Sequence, residues 1–249
     1  MIRKAAIAIS LAMMLTGIML GCKNNPASPA KPNPVDTTRT VLFREGFEED
    51  SAKLDSIWTS YMITTDEGFY AKMRSTMAAA HSGTHSITTD SNWTALEYNV
   101  FSRIETGIVG VEFYIRANAA GQTNFTVEIG QYAGSSGGLA KAFGLGFDRN
   151  DSVKYTYYNG FTGQHSDSMI SPIRFNNWYK CAVEVDFTAW TVTYYLDDAK
   201  VRTKPLPALA EEMYGIDRVL VFRGMGLVDL PNAEGPKPYF ADDIVFYKK

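Results

Sequence analysis

The sequence predicts an all-β domain, folded as a two-sheet antiparallel jelly-roll sandwich. Apolar and polar residues alternate with a period of two in many short segments, which is typical of half-buried antiparallel strands. Turn-forming residues separate these segments, and many short strands separated by turns indicate a sandwich or jelly roll. Aromatic residues make up 13% of the chain, with 14 Tyr, 14 Phe and 4 Trp, and aromatic side chains favour strands.

Eight segments carry the alternation and are predicted as strands. They are residues 111–116, 124–130, 142–148, 153–158, 181–185, 190–196, 219–222 and 243–247. Turns are expected at 149–152, 158–163 and 196–200, and short helices at 51–57 and 207–213. Cys181 alternates in step with Val183 and Val185, which indicates a buried structural thiol. Trp178 and Trp190 are expected to complete the core at strand ends.

The composition fits a folded domain and excludes several classes of protein. Hydrophobic residues make up 45% and charged residues 20% of the 249 residues, which excludes wholesale disorder. The 24 Lys and Arg residues against 27 Asp and Glu residues give a net charge of −3. A nucleic-acid partner is therefore not expected, because nucleic-acid binders carry a basic excess. Two cysteines cannot form a disulfide-dense scaffold.

Residues 1–21 have the features of a secretory signal. Arg3 and Lys4 precede residues 5–20, which carry no charge, and this apolar stretch is short for a membrane span of about 20 residues. The string MLGC at 19–22 resembles the lipobox of bacterial lipoproteins. The resemblance implies cleavage before Cys22, acylation of Cys22 and anchoring in a membrane by several acyl chains. Lys23 stands where inner-membrane lipoproteins usually carry Asp, which implies the outer membrane.

Residues 22–40 are expected to join the lipid anchor to the folded domain as a disordered tether. The stretch 23–40 contains four prolines and a single large apolar residue, Val35, so it cannot build a core. Fully extended, it would reach roughly 50 Å at about 3 Å per residue. The rest of the chain, 41–249, is long enough for one domain with a substantial core.

Four segments of this domain resemble concanavalin A-like and laminin-G-like domains. The string WYKCAVEVDFTAWTVTYYLDDAKV at 178–201 resembles their late hairpin, with Asp198 where Gly is usual. LFREGFEED at 42–50, AAHSGTHSIT at 79–88 and YFADDIVFY at 239–247 resemble their opening, early and closing strands. The resemblance implies the concanavalin A-like sandwich, and either carbohydrate binding or carbohydrate cleavage.

The residues favour binding over cleavage. Retaining glycoside hydrolysis needs two carboxyl groups about 5 Å apart, and the hydrolases of this fold place their acids on one face of one strand. The nearest string, EVDFTAW at 184–190, puts Glu184 and Asp186 on one face but lacks the second Glu. No string matches the alginate lyases of this fold. A surface-anchored, non-catalytic polysaccharide-binding protein is therefore expected. A divergent hydrolase or lyase, and a structural or adhesive envelope protein without a sugar ligand, are the alternatives.

Aromatic and polar residues at outward strand positions are candidates for sugar contacts, because sugars pack on aromatic faces and bond to polar groups. These candidates are Tyr114, Arg116, Glu128, Lys154, Tyr158 and Tyr195. They would form a binding groove if they shared one sheet face.

The resemblance also implies a structural calcium ion where the opening strand, the early Gly turn and the closing strand meet. Calcium takes six to eight oxygen ligands from carboxylates and backbone carbonyls. The matching positions are Glu45, Glu48, Ser82, Gly83, Asp242 and Asp243.

Overall fold

The computed structural model describes most of the domain. The described residues are 38–49, 51–62, 73–89, 94–98, 102–119, 124–132, 139–148, 150, 152–159, 164–206, 215–223 and 239–249, all within the unit Thr37–Lys249. The predicted signal with Cys22, the predicted tether up to residue 37 and the helix predicted at 207–213 lie outside these residues. Within the described ranges, no helix is long and apolar enough to span a bilayer.

The described elements are one short helix and fifteen strands. The helix α1 is Ser51–Ile57, as predicted. The strands are β1 Thr40–Glu45, β2 Thr59–Met62, β3 Met73–Thr76, β4 Ser86–Thr89, β5 Thr94–Tyr98, β6 Ile108–Ala117, β7 Phe125–Tyr132, β8 Leu139–Phe147, β9 Ser152–Asn159, β10 Gln164–Pro172, β11 Trp178–Asp186, β12 Thr191–Leu196, β13 Ala199–Pro205, β14 Arg218–Arg223 and β15 Tyr239–Lys248.

The strands form two antiparallel sheets. Sheet A has the order β13-β12-β11-β6-β15-β4-β3, and β1 also pairs with β15. Sheet B has the order β10-β9-β8-β7-β14-β5-β2. The two-sheet sandwich and all eight predicted strands are confirmed. β2, β3, β5, β10 and β13 were not predicted. All of these except β5 end a sheet, and edge strands need no apolar alternation.

The core lies between the sheets and explains the period of two. Along β6, Val109, Val111, Phe113 and Ile115 are fully buried, while the residues between them are less so. Aromatic rings cross from sheet to sheet: the Tyr239 ring of β15 lies 5.5 Å from Phe125 and 5.7 Å from Phe147, centroid to centroid. Cys181 is fully buried, and burial raises the pKa of its thiol well above the ordinary value.

Two tryptophans lie outside this core, contrary to the sequence prediction. Trp190 is 39% exposed in the turn between β11 and β12 and has a positive φ of 56°. Trp178 begins β11 on the face opposite to Cys181 and is partly exposed. The alternation along β11 already implied this orientation, because positions an odd number of residues apart face opposite sides of a strand.

Candidate functional site

The six predicted sugar-contacting residues are divided between the two sheets. Tyr114, Arg116 and Tyr195 lie on the outer face of sheet A, whereas Glu128 and Lys154 lie on the outer face of sheet B. Tyr158 belongs to β9 in sheet B, but its side chain is outside the described residues. Because the outer faces of a sandwich point in opposite directions, these residues do not form one groove.

The three predicted residues on sheet A are engaged within the protein. The His81 ring stacks on Tyr114 with 3.4 Å between centroids. Arg116 Nε donates to Asn118 Oδ1 at 2.6 Å, and Tyr195 Oη donates to Glu184 Oε2 at 3.2 Å. His81 therefore covers one face of the Tyr114 ring, and a ligand cannot pack against that face.

The acidic pair of the EVDFTAW string is also engaged. Glu184 Oε1 accepts a hydrogen bond from Tyr247 Oη at 2.8 Å and pairs with Lys249 Nζ at 2.7 Å. Asp186 Oδ1 accepts the backbone N–H groups of Thr188 and Ala189 at 2.8 Å each, which holds the turn after β11.

Sheet B carries a different feature, a pair of outward glycines on β8 between polar side chains of β7 and β9. The outward positions of β8 include Gly144 and Gly146. In register across the sheet, Gly144 lies between Glu128 and Thr156, and Gly146 lies between Thr126 and Lys154. We call these six residues the glycine trough. Strands lie about 4.8 Å apart, so its polar walls on β7 and β9 stand about 10 Å apart across a floor without side chains.

The two glycines are required by close approach. A Cβ on Gly146 would lie 2.0 Å from the carbonyl oxygen of Phe125, and one on Gly144 would lie 2.5 Å from Glu128 Cγ. Glycine inside a strand often marks a place where another group comes close to the backbone. Here the side chains of β7 occupy part of that space, and the remainder is the trough floor.

The polar walls of the trough are recessed from solvent. Thr126, Glu128, Lys154 and Thr156 are 2–7% exposed although they face away from the core. Thr126 Oγ1 donates to Glu128 Oε1 at 2.7 Å. Within the described residues the buried Thr156 Oγ1 has no hydrogen-bond partner, and leaving a buried hydroxyl unsatisfied costs about 1–3 kcal/mol. A ligand hydroxyl at this point would remove that cost.

The trough presents hydroxyl, carboxylate and ammonium groups but not a carboxyl pair. Among the outward side chains described on β7, β8 and β9, Glu128 is the single carboxylate. Glycoside hydrolysis by the usual mechanism needs two. The described trough therefore has groups that can recognise a polyhydroxylated ligand.

Sequence reasoning found Glu128 and Lys154 but missed the rest of the trough. The sequence did not single out four of its residues, since small residues are common in strands: Thr126, Thr156, Gly144 and Gly146. The pattern that could have revealed them is two glycines at outward positions of one strand, next to strands whose outward residues are polar.

A second cluster lies against the outer face of sheet A at the register shift in β15, where Glu48, Asp242 and Asp243 hold the segment 81–85. We call it the acidic clamp. Asp242 Oδ2 accepts the N–H groups of His81 and Ser82 at 2.7 and 3.3 Å. Asp243 accepts Ser82 Oγ at 2.7 Å and lies 2.7 Å from His81 Nδ1.

Glu48 completes the clamp from the other side. Its carboxylate accepts the backbone N–H of Thr84 at 3.0 Å and that of His85 at 3.1 Å. Gly83 between them has a φ of +60°, and a Cβ there would lie 2.2 Å from Glu48 Oε1. Glycine is thus required by both conformation and contact.

The clamp shifts the pKa of each carboxyl according to its surroundings. Backbone hydrogen bonds from His85 and Thr84 lower the pKa of Glu48. Burial raises the pKa of Asp242 to about 6, and the neighbouring Asp243 charge adds to the rise. Burial also acts to raise the pKa of Asp243, but hydrogen bonds from His81 and Ser82 outweigh it, so that pKa is lowered.

The residues predicted to bind calcium mostly converge here. Glu48, Ser82, Gly83, Asp242 and Asp243 come together as expected. Glu45 is buried instead and accepts hydrogen bonds from Phe47 N at 2.7 Å and Trp58 Nε1 at 3.2 Å.

Carboxylate and hydroxyl groups are of the types that calcium accepts, but these carboxylates already accept N–H and O–H groups. No group of three or more His, Cys, Asp or Glu side chains in the described ranges is placed to hold a metal. Calcium binding stays a prediction.

No protein-family model matches the sequence, and no curated protein matches it. Solved structures do resemble the domain. A non-specific endo-β-1,3(4)-glucanase of glycoside hydrolase family 16 has 12% identity and a TM-score of 0.60, over 87% of this chain and 96% of that one. The globular domain of T. cruzi calreticulin has 12% identity and a TM-score of 0.58, over 84% and 88%. An endo-β-1,4-glucuronan lyase from Trichoderma reesei has 10% identity and a TM-score of 0.55, over 84% and 96%.

The domain has a concanavalin A-like fold. The resemblance noted in the hairpin and terminal strands is therefore confirmed at the level of architecture. At these identities the likeness concerns the fold alone. The role of the concanavalin A-like domain has to be argued from its own residues, since one fold hosts many functions.

Proposed function

We propose that the concanavalin A-like domain binds a polysaccharide in the glycine trough, without cleaving it, as part of a lipoprotein anchored in the outer membrane. The observation that carries the proposal is the trough itself: a floor of two glycines between recessed polar walls, with the buried Thr156 hydroxyl unsatisfied. Two structures of the same fold are named as an endo-glucanase and a glucuronan lyase, which supports a glycan as the ligand.

The chemistry of the trough suits a sugar chain. The hydroxyl groups of Thr126 and Thr156, on opposite walls, can exchange hydrogen bonds with sugar hydroxyls. Glu128 and Lys154 add an acceptor and a donor on opposite walls. Such a mixture of a few convergent polar groups in a recess is typical of ligand sites.

The test compares binding of soluble β-glucans and glucuronan by the wild type and by Thr156→Val. Removing one hydrogen bond worth about 1 kcal/mol should weaken binding roughly 5- to 10-fold. Thr156→Ser keeps the hydroxyl and should bind like the wild type. Thr193→Val is the matched control, since Thr193 faces outward on sheet A and bonds to Thr203 Oγ1 at 3.2 Å. Absence of binding to every polysaccharide, or an unchanged affinity of Thr156→Val, would contradict the proposal.

Catalysis is tested on the same polysaccharides. We expect no release of reducing ends and no absorbance from an unsaturated uronate, because Glu128 lacks a partner carboxyl among the described trough residues. Product formation would overturn the non-catalytic part of the proposal and favour a divergent hydrolase or lyase. If the protein neither binds nor cleaves any of these polysaccharides, the results would favour a structural or adhesive envelope protein.

A further inference from the structure

A separate cleft lies at one end of the sandwich, away from the glycine trough. It has a volume of about 660 Å³ and is bordered by the segment 173–177, between β10 and β11, and by the turn between β12 and β13. Its lining includes Arg174, Asn176, Asn177, Trp178 and Asp197. We call it the end cleft. Its volume is in the range of small-ligand sites.

Trp178 gives the end cleft a fixed aromatic surface. It is partly exposed at the start of β11. The Arg116 guanidinium lies 6.0 Å from its ring centroid, and the His81 ring meets it edge-on at 5.7 Å. A tryptophan held in place before binding loses little conformational freedom when a sugar ring packs against it.

The segment that carries the polar groups is also held in place. Arg174 N donates to Tyr179 Oη at 2.5 Å, and Asn176 N donates to the Ala117 carbonyl oxygen at 2.7 Å. Asn176 has a positive φ of 66°, which Asn tolerates better than most residues. The backbone of this loop is therefore tied to β6 and β11 without using the side chains of Arg174 or Asn177.

Those two side chains are exposed and available. Neither the Arg174 guanidinium nor the Asn177 amide makes a hydrogen bond or ion pair within the part of the chain that the structure describes. A guanidinium presents paired N–H groups that match both oxygens of a carboxylate. An amide can donate to and accept from sugar hydroxyls.

We propose that the end cleft binds an acidic pyranose unit, such as a uronic acid. The sugar ring packs on Trp178, its carboxylate pairs with Arg174, and its hydroxyl groups bond to Asn177. This site is independent of the trough, because none of its lining residues belongs to β7, β8 or β9.

The test is a titration of the full-length protein with methyl glucuronide and methyl glucoside, followed by ligand-observed NMR. The glucuronide should bind about tenfold more tightly, because a hydrogen-bonded ion pair is stronger than a neutral contact. Arg174→Gln should reduce glucuronide affinity to that of the glucoside. Arg202→Gln, which removes an exposed arginine on β13, is the matched control and should change neither affinity.

Three further variants separate this site from structural effects and from the trough. Trp178→Ala should abolish binding of both sugars but also removes contacts to His81 and Arg116. Asn177→Ala leaves those contacts intact and should weaken both sugars. Thr156→Val should leave both monosaccharides unaffected even if it weakens polysaccharide binding. Equal affinity for the two sugars, no binding of either, or a glucuronide affinity unchanged by Arg174→Gln would overturn the proposal.

Discussion

Gly146 shows how a single residue fixes the shape of the trough. An added methyl group there would lie 2.0 Å from the Phe125 carbonyl oxygen and 2.6 Å from Thr126 Cα, both backbone atoms that cannot move aside alone. We predict that Gly146→Ala lowers the free energy of unfolding by about 1–3 kcal/mol, as other overpacked substitutions do. Thermal unfolding should show a Tm lower by several degrees for a domain of this size.

The matched control is Gly46→Ala, because the nearest atoms to a Cβ there are 3.8 Å and 4.0 Å away. Gly46→Ala should unfold close to the wild-type Tm. A wild-type Tm for Gly146→Ala would show that the neighbouring strand yields easily and that close approach does not require the glycine.

At the scale of single residues, the sequence predicted the features that are set by residues next to each other in the chain. The Asp197–Asp198 turn formed as expected without the usual Gly, with positive φ values of 49° and 64°, and Lys180 Nζ bonds to Asp198 Oδ1 at 2.7 Å. The unsatisfied Thr156 hydroxyl could not be foreseen, since the alternation places the side chain on the outer face but does not say how the side chains around it pack.

At the scale of elements, the acidic clamp ties β15 to the turn before β4. We predict that calcium raises the Tm of the wild type and that a chelator lowers it, because carboxylates of Glu48, Asp242 and Asp243 repel one another unless neutralised. At one hundred times the dissociation constant the gain would be about 2.7 kcal/mol. Asp243→Ala should lose the response. Asp186→Ala, in a turn distant in sequence, should keep it.

A wild-type Tm that is the same with calcium and with chelator would make the calcium prediction wrong. In that case the hydrogen bonds from the N–H and O–H groups of residues 81–85 are enough to stabilise the three carboxylates without a cation. The convergence of these segments was predictable because β1 and β15 pair as neighbours, which the resemblance implied. The hydrogen bonds to the carboxylates were not predictable from the sequence, because they depend on the backbone conformation at Gly83.

Element boundaries followed the apolar pattern wherever one face of a strand was buried. β11 and β12 alternate between buried and less buried positions along their whole length, and β6 does so from Val111 to Ala117. By contrast, five of the seven residues of β13, including Pro205, are exposed, and such an edge strand leaves no periodic signal. The strand sequence alone does not say which sheet a strand joins, so outward residues of both sheets were grouped as one surface.

At the scale of the whole molecule, the sandwich places the glycine trough apart from the other two candidate surfaces. The trough lies on the outer face of sheet B, the clamp lies against the outer face of sheet A, and Trp178 of the end cleft meets His81 of the clamp edge-on at 5.7 Å. A polysaccharide could therefore meet the trough without displacing the contacts that hold the terminal strands. How the domain reaches such a polymer depends on the predicted lipid anchor and tether.

That anchor is open to a direct test through the two cysteines of the chain. We predict that Cys22→Ala abolishes labelling by radioactive palmitate and releases the protein from the membrane fraction, or leaves it with an uncut signal. Acyl burial contributes about 0.8 kcal/mol per CH₂, and the polar, proline-rich stretch 23–40 has nothing to replace it. Cys181→Ala is the matched control and should keep the label, because Cys181 is fully buried in the core. Palmitate that still labels Cys22→Ala would rule out Cys22 as the acylated residue, and with it the proposed attachment to the outer membrane.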